Sequence, residues 1–168
     1  MAENLPLIYH PNSLLRQVSK PLELEEIQSD EFTQLILDME KTMEENKGVG
    51  LAAVQIGKLL RLTVIQTDEG LLPLINPEII KKSWRKELGE EGCLSIPKVY
   101  GMIKRSKDIE VKSVGLDGKP IQFKAHGFFA RVIQHEIDHM NGILFIDHAK
   151  KITHGVEELK RIEHNKNE

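Results

Sequence analysis

The chain has 168 residues, 40% hydrophobic and 29% charged, with 23 Lys and Arg against 26 Asp and Glu for a net charge of −3. At this length a single domain that buries roughly 70% of its unfolded surface is expected, and the composition excludes a disordered tail, a membrane-spanning helix of about 20 apolar residues and a broad basic surface for nucleic acid. The one cysteine, Cys93, permits no internal disulfide and suits a reducing compartment, and the first eight residues lack the basic-then-apolar pattern of a secretory signal.

In chain order, Pro11 and Pro21 bracket a segment with room for a short turn of helix only. Residues 30–46 are predicted helical, because Phe32, Leu35, Ile36, Met39 and Met43 form one apolar stripe. Ser29 or Asp30 caps that helix and Gly48 stops it. Residues 48–55 read as a Gly-rich turn. Short strands follow at 62–65 and 71–75, turning at Asp68-Glu69-Gly70, and further strands at 79–84, 102–103, 109–114 and 121–123, with an Asp117-Gly118 hairpin between the last two. A second helix runs over 127–140, ended by Gly142, and an apolar run covers 143–146. A terminal amphipathic helix over 154–165 uses Val156, Leu159 and Ile162. Strands grouped between helices indicate an α+β domain.

The chemistry concentrates in His135-Glu136-Ile137-Asp138-His139. Residues four apart share a helix face, so both imidazoles can reach one ion, and Glu136, about 100° round from His135, can reach a water on it. Phe129, Ile133, Ile137 and Met140 lie on the opposite face as a core anchor, while Phe128 and Val132 flank the histidines as an apolar wall. The bland alternative is a chance pair of solvent-facing histidines. A third ligand is needed. A His six residues after the second would suit one zinc-protease class, but Phe145 stands there. A downstream Glu (Glu157, Glu158 or Glu163) would suit another, and the thiolate of Cys93 is the third option. The residues alone leave that choice open. Gly48-Val49-Gly50-Leu51-Ala52-Ala53-Val54-Gln55 suggests backbone lying close to a partner beside the Gln55 amide; it lacks the Lys-Ser/Thr ending of a phosphate loop.

Together these segments resemble the peptide deformylase family, metallohydrolases that remove the formyl group from nascent chains. The family pattern is Gly-x-Gly-φ-Ala-Ala-x-Gln, Glu-Gly-Cys-φ-Ser and His-Glu-φ-Asp-His, with φ apolar; all three occur here without mismatch and in order, at 48–55, 91–95 and 135–139. The likeness extends to Leu74-Ile75-Asn76-Pro77 and Leu144-Phe145-Ile146-Asp147. It implies an α+β fold in which bent antiparallel strands surround a central metal-binding helix, with helices at both ends: one catalytic domain over 1–168, of which 149–168 is a polar C-terminal helix or tail.

By position, the resemblance makes Cys93, His135 and His139 the ligands of one divalent ion, Fe(II) foremost, with Zn, Ni or Co able to replace it. It makes Glu136 the general acid and base, and Gln55 and the Leu94 N–H the donors to the developing oxyanion. Val49, Gly50, Glu91, Gly92, Phe128, Arg131 and Val132 fall at substrate-binding positions, with Arg131 at the rim of the methionine pocket, and Arg105 pairs with Asp138 behind the ligands. Two departures stand out: Tyr100 replaces an Arg that many bacterial members carry, and Leu88-Gly89 replaces bulkier apolar residues. His10, His126, His148, His154 and His164 show no ligand spacing and read as surface or structural. The implied partners are N-formylmethionyl chains and, through a tail of five Lys/Arg and four Asp/Glu, the ribosome near its exit tunnel. Neither nucleic-acid reading nor a membrane is implied, and the setting would be a bacterial cytoplasm or an organelle stroma or matrix.

Overall fold

The computed structural model describes residues 1–164; residues 165–168, the end of the expected tail, lie outside the described residues. Two antiparallel sheets enclose one long helix. After a 3-10 turn at Ser13–Arg16 and a one-turn helix α1 (Leu24–Ile27), α2 (Asp30–Glu45) forms where its apolar stripe predicts. The Ser29 hydroxyl accepts from the Phe32 N–H and satisfies one of the helix's orphan donors. Phe32, Leu35, Ile36, Met39 and Met43 turn inward against Leu51, Leu62, Val64 and Ile75. Met39 and Met43 are wholly buried, and each such side chain contributes about 1.5–3 kcal/mol through lost apolar surface.

The larger sheet has the order β1-β2-β3-β6-β7, with β1 (Gly50–Ala52), β2 (Leu62–Thr67), β3 (Gly70–Lys82), β6 (Asp108–Val114) and β7 (Pro120–His126). The smaller has β4 (Lys86–Cys93), β5 (Ile96–Ser106) and β8 (Lys151–His154) in the order β4-β5-β8. Register shifts in β3 near Ile75–Glu78 and Ile79–Lys81, and in β5 near Tyr100–Gly101, mark where the strands bend. Between the sheets lies α3 (Gly127–Met140). Ala130, Ile133 and Ile137 pack on Ile65, Leu74, Ile109 and Val111 of the larger sheet. A third cluster, including Leu15, Val54, Ile96, Val99, Ile103 and Phe145, fills the space beside the smaller sheet. No helix among the described residues is long and apolar enough to cross a membrane.

Several expectations change. Within 48–55, Gly50–Ala52 is edge strand β1, paired in register with β2 and followed by a 3-10 turn at Ala53–Ile56; small residues let this backbone sit at the sheet edge against α3. β3 joins the strands expected at 71–75 and 79–84 into one, and ends before Trp84. β5 extends far beyond 102–103. Strands β4 and β8 carry no apolar alternation and were not expected. The apolar run at 143–146 turns into a one-turn helix, α4 (Phe145–His148), and the terminal helix α5 spans Val156–His164.

Candidate active site

α3 and the end of β4 bring the reactive side chains together. The apolar back of α3 is fixed in the core, with Ile133 and Met140 fully buried, so His135, Glu136 and His139 emerge beside Glu91, Gly92 and Cys93. Cys93 Sγ lies 3.2 Å from His139 Nε2, and one ligand atom each from Cys93, His135 and His139 lie within 4.8 Å of one another. Glu157 and Glu158 stand instead on α5, 2.8 Å from Lys160 and 3.2 Å from Arg161 respectively. Among the described residues, no downstream Glu, Glu163 included, joins the histidines; only Cys93 does.

Glu91 ties the histidine side to two buried arginines. Its Oε2 is 3.0 Å from His135 Nδ1, which leaves His135 Nε2 for another partner. Arg105 donates from Nε and Nη2 to the two Glu91 oxygens at 2.9 and 3.0 Å, and its Nη1 pairs closely with Asp138. Arg131 Nη1 donates to Glu91 Oε1 at 2.7 Å and to the Ile103 carbonyl at 3.0 Å, and its Nη2 to the Glu87 carbonyl at 2.8 Å. Burial opposes the charge on Glu91, but hydrogen bonds from His135 and Arg105 and the positive charge of Arg105 hold its carboxyl well below the usual carboxylate range.

The histidines diverge for the same kind of reason. Burial works against charge on both. The sulfur of Cys93 and the Glu91 carboxylate nonetheless push the pKa of His135 up to about 10. His139, equally removed from water and beside the charged His135, is held well below its ordinary value. A soft thiolate with two imidazoles is a donor set that suits Zn, Fe, Co or Ni. The residues present fit a divalent cation.

Glu136 is the contrasting carboxyl. Burial is the largest influence on it and pushes its pKa up to about 7, against the attraction of His135. Its Oε2 finds no hydrogen-bond partner among the described residues. Gly50 makes room for this carboxylate: a Cβ on Gly50 would sit 2.6 Å from Glu136 Oε1. Gln55, on the 3-10 turn, is oriented by its own bonds. Its Oε1 accepts from the Ala52 N–H at 2.8 Å, so Nε2 points to Ser95 Oγ at 3.1 Å and Cys93 Sγ at 3.6 Å. Leu94 lies in the tight turn between β4 and β5, its side chain packed under Gly48.

A cleft of about 570 Å³ opens over these residues, lined by Val49, Gly50, Phe128 and Val132 as well as by Glu91, Cys93, His135 and Glu136. Val132 is buried, while Val49 and Phe128 are 48% and 67% exposed and form the outer wall. The sequence profile of the polypeptide deformylase family matches residues 4–154. The chain belongs to that family.

Among relatives, the peptide deformylase of Mesorhizobium japonicum is 45% identical over 152 residues, covering 88% of this chain and 85% of that protein. The peptide deformylase of Thermoanaerobacter pseudethanolicus is 49% identical over 138 residues, covering 82% and 84%. The crystal structure of the class I type b peptide deformylase of Acinetobacter baumannii with Met-Ala-Ser bound superposes with a TM-score of 0.84 at 34% identity, covering 88% of this chain and 99% of that one. The chain is accordingly a metal-dependent hydrolase that removes the N-formyl group from formylmethionyl peptides.

Against this deformylase frame, the two departures in sequence acquire reasons. Gly89 accommodates the Arg131 guanidinium: a Cβ at Gly89 would lie 2.8 Å from Arg131 Cζ. Arg131 borders the cleft as expected and is also a buried strut. Tyr100 covers Gly92, where a Cβ would meet its ring at 2.7 Å, and stands edge-on to His154. Sequence reading did not find the contact of Gly89 with Arg131 or that of Ser95 with Gln55. The one available signal was the unexpected glycine at 89. Of the remaining histidines, His126 faces Asp108 at 2.8 Å, His148 and His154 lie near Asp138 and Glu90, and His10 is buried.

Proposed function

We propose that Cys93, His135 and His139 hold the single divalent ion of this deformylase, Fe(II) in its native form with Zn, Ni or Co able to substitute, and that Glu136 carries the protons of the reaction. The observation that carries the reading is the convergence of the three ligand atoms within 4.8 Å beside a buried carboxyl whose pKa lies near 7. A bound ion of this kind supplies Lewis acidity and brings a coordinated water near neutrality. Residues 1–168 form the one catalytic domain, but 149–164 is not a polar tail: β8 (Lys151–His154) belongs to the smaller sheet, and Ala149, Ile152 and Leu159 pack on the core beside it.

Glu136, poised near neutrality, accepts a proton from the attacking water and passes it to the leaving amine, and formate departs. Gln55 Nε2 and the Leu94 N–H are the donors to the carbonyl oxygen as charge develops there, each such donor being worth about 3–4 kcal/mol. Gln55 is suited to this because its Oε1 is already committed to Ala52. The methionine side chain occupies the apolar cleft of Val49, Phe128 and Val132, with Gly50, Glu91 and Gly92 along its floor. Arg131, Arg105 and Asp138 act behind this surface by holding Glu91, which holds His135. A thiolate ligand fits a reducing setting such as a bacterial cytoplasm or an organelle matrix. Docking of α5 on the ribosome belongs to the same proposal, although Lys160 and Arg161 are already paired with Glu157 and Glu158.

The test is formate release from a formyl-Met dipeptide beside an acetyl-Met control. Release from the formyl substrate alone is expected; comparable acetyl release or cleavage of internal peptide bonds contradicts the reading. In parallel, Cys93→Ser should lose most of its metal on dialysis, because a neutral hydroxyl replaces a thiolate poorly.

A further inference from the structure

The end of β3, the three-residue link after it and the first residue of β4 form one cationic stretch. Lys81-Lys82-Ser83-Trp84-Arg85-Lys86 carries four cations and no acid in a chain whose net charge is −3. All four cations are exposed, and none makes an ion pair among the described residues. The cations of α5, in contrast, are paired within their own helix. At the apex stands Trp84, the only tryptophan, 92% exposed.

This exposure is held in place by the backbone. The Ser83 N–H donates to the Asp108 carbonyl at 2.9 Å, and the Lys107 N–H to the Arg85 carbonyl at 2.9 Å. Ser83 Oγ donates to the Arg85 carbonyl at 2.8 Å and accepts from the Asp108 N–H at 3.1 Å. Of the nearby acids, Glu87 pairs with Lys107 and Asp108 with His126, and Glu110, opposite Lys81 in the register, accepts from Gln122 at 2.7 Å. A turn clamped on both sides thus presents an indole between unpaired cations, so little conformational freedom is lost when a partner binds.

We propose that this turn is a docking surface for single-stranded RNA, bound without regard to sequence. Phosphates would meet Lys81, Lys82, Arg85 and Lys86, and a base would stack on Trp84; one polyanion with flat bases satisfies both halves of the patch. A single indole offers little apolar area for a lipid surface, which needs buried apolar area as well as charge. The choice of RNA rests on the deformylase reading, since substrates that are nascent chains are met at an RNA-rich particle. The seven residue steps from Lys86 to Cys93 along β4 put the turn roughly 20 Å from the ligands, so the cleft stays open while RNA is bound.

Trp84 reports on its own occupancy. In the metal-loaded full chain, a 20-mer of oligouridylate should quench its fluorescence saturably. Four phosphate contacts on a single strand give a salt slope of about −2.8, or about 50-fold weaker binding at 200 mM than at 50 mM salt. The pair Lys82→Glu and Arg85→Glu should weaken binding at least 10-fold, and Trp84→Ala, read by anisotropy of labelled RNA, should weaken it several-fold. Lys160→Glu with Arg161→Glu should not weaken it, and kcat/KM on formyl-Met peptide should stay unchanged in every variant. Absence of quenching at low salt overturns the proposal, as does binding that survives the 82/85 pair or is lost only with the 160/161 pair. A fluorescence shift with phosphatidylglycerol vesicles but none with RNA also overturns it. Formate release is measured separately, so RNA binding without deformylation would sink the activity and leave the surface standing.

Discussion

Glu91, near the end of β4, and Glu136, on α3, are both removed from water and both influence His135, yet they have opposite proton affinities. Glu91 meets two guanidinium groups and an imidazole within hydrogen-bond reach and stays ionised. Glu136 faces the backbone at Gly50, has a partnerless oxygen among the described residues, and takes up a proton near neutrality. Burial is common to the pair, so the neighbours decide the outcome. One carboxylate becomes a fixed charge bonded to His135, and the other a buried group that titrates near neutrality, as the proposed roles require.

The largest effect should come from Glu136→Gln. Turnover should drop by about 10²–10⁴-fold, the usual contribution of a positioned general acid or base, with metal content intact. Stoichiometric loss of metal would mean that Glu136 is a ligand and that the contrast with Glu91 is misdrawn. Glu91→Ala comes next and should act on the scaffold. Stranding Arg105 and Arg131 without their shared anion should cost about 3–5 kcal/mol in urea unfolding, and metal affinity should fall about 10–100-fold as His135 loses its partner. A variant with full stability but no turnover would assign Glu91 to the chemistry instead.

A smaller effect sharpens the comparison in the metal-free protein. The folded pKa of Glu136 is raised, from an ordinary 4.5 to about 7. At pH 4 it is largely protonated in both states and costs little, but between about 4.5 and 7 the unfolded chain ionises this carboxyl while the folded chain keeps its proton, so stability falls across that window and levels off above it. Glu136→Gln removes that cost, so at pH 8 the metal-free variant should be more stable by about 3 kcal/mol, and at pH 4 nearly equal to the parent. Glu91 has the opposite sign. Its pKa is depressed, so its contribution is present at neutral pH and is lost only in strong acid.

The histidine pair was open to sequence reading because helical spacing encodes it, whereas Cys93, Gln55 and Leu94 joined it only through the family resemblance. His135 and His139 share a face by helical period, and the stripe from Phe32 to Met43 specifies α2 in the same way. The wiring behind the set was not. β4 has an alternating period, but its inward positions are Gly89, Glu91 and Cys93 rather than apolar residues, because that edge carries the site instead of the core. Arg131 reaches Glu91 across 40 positions, and no local pattern announces a contact that long. At residues 48–55 the close approach that the glycines suggest is present, with Leu94 against Gly48 and Glu136 against Gly50; what the glycines do not announce is the short strand β1 between them and the 3-10 turn.

The division between the two carboxyls can be observed directly by ¹³C NMR of the metal-free protein with its glutamate side chains labelled, titrated from pH 3 to 9. One carboxyl signal, absent in Glu136→Gln, should titrate near 7, while the signal absent in Glu91→Gln should remain that of an ionised carboxylate down to the acid end of the range. Two signals titrating together in the ordinary carboxylate range, or the raised pKa disappearing in the Glu91 variant instead, would contradict this account.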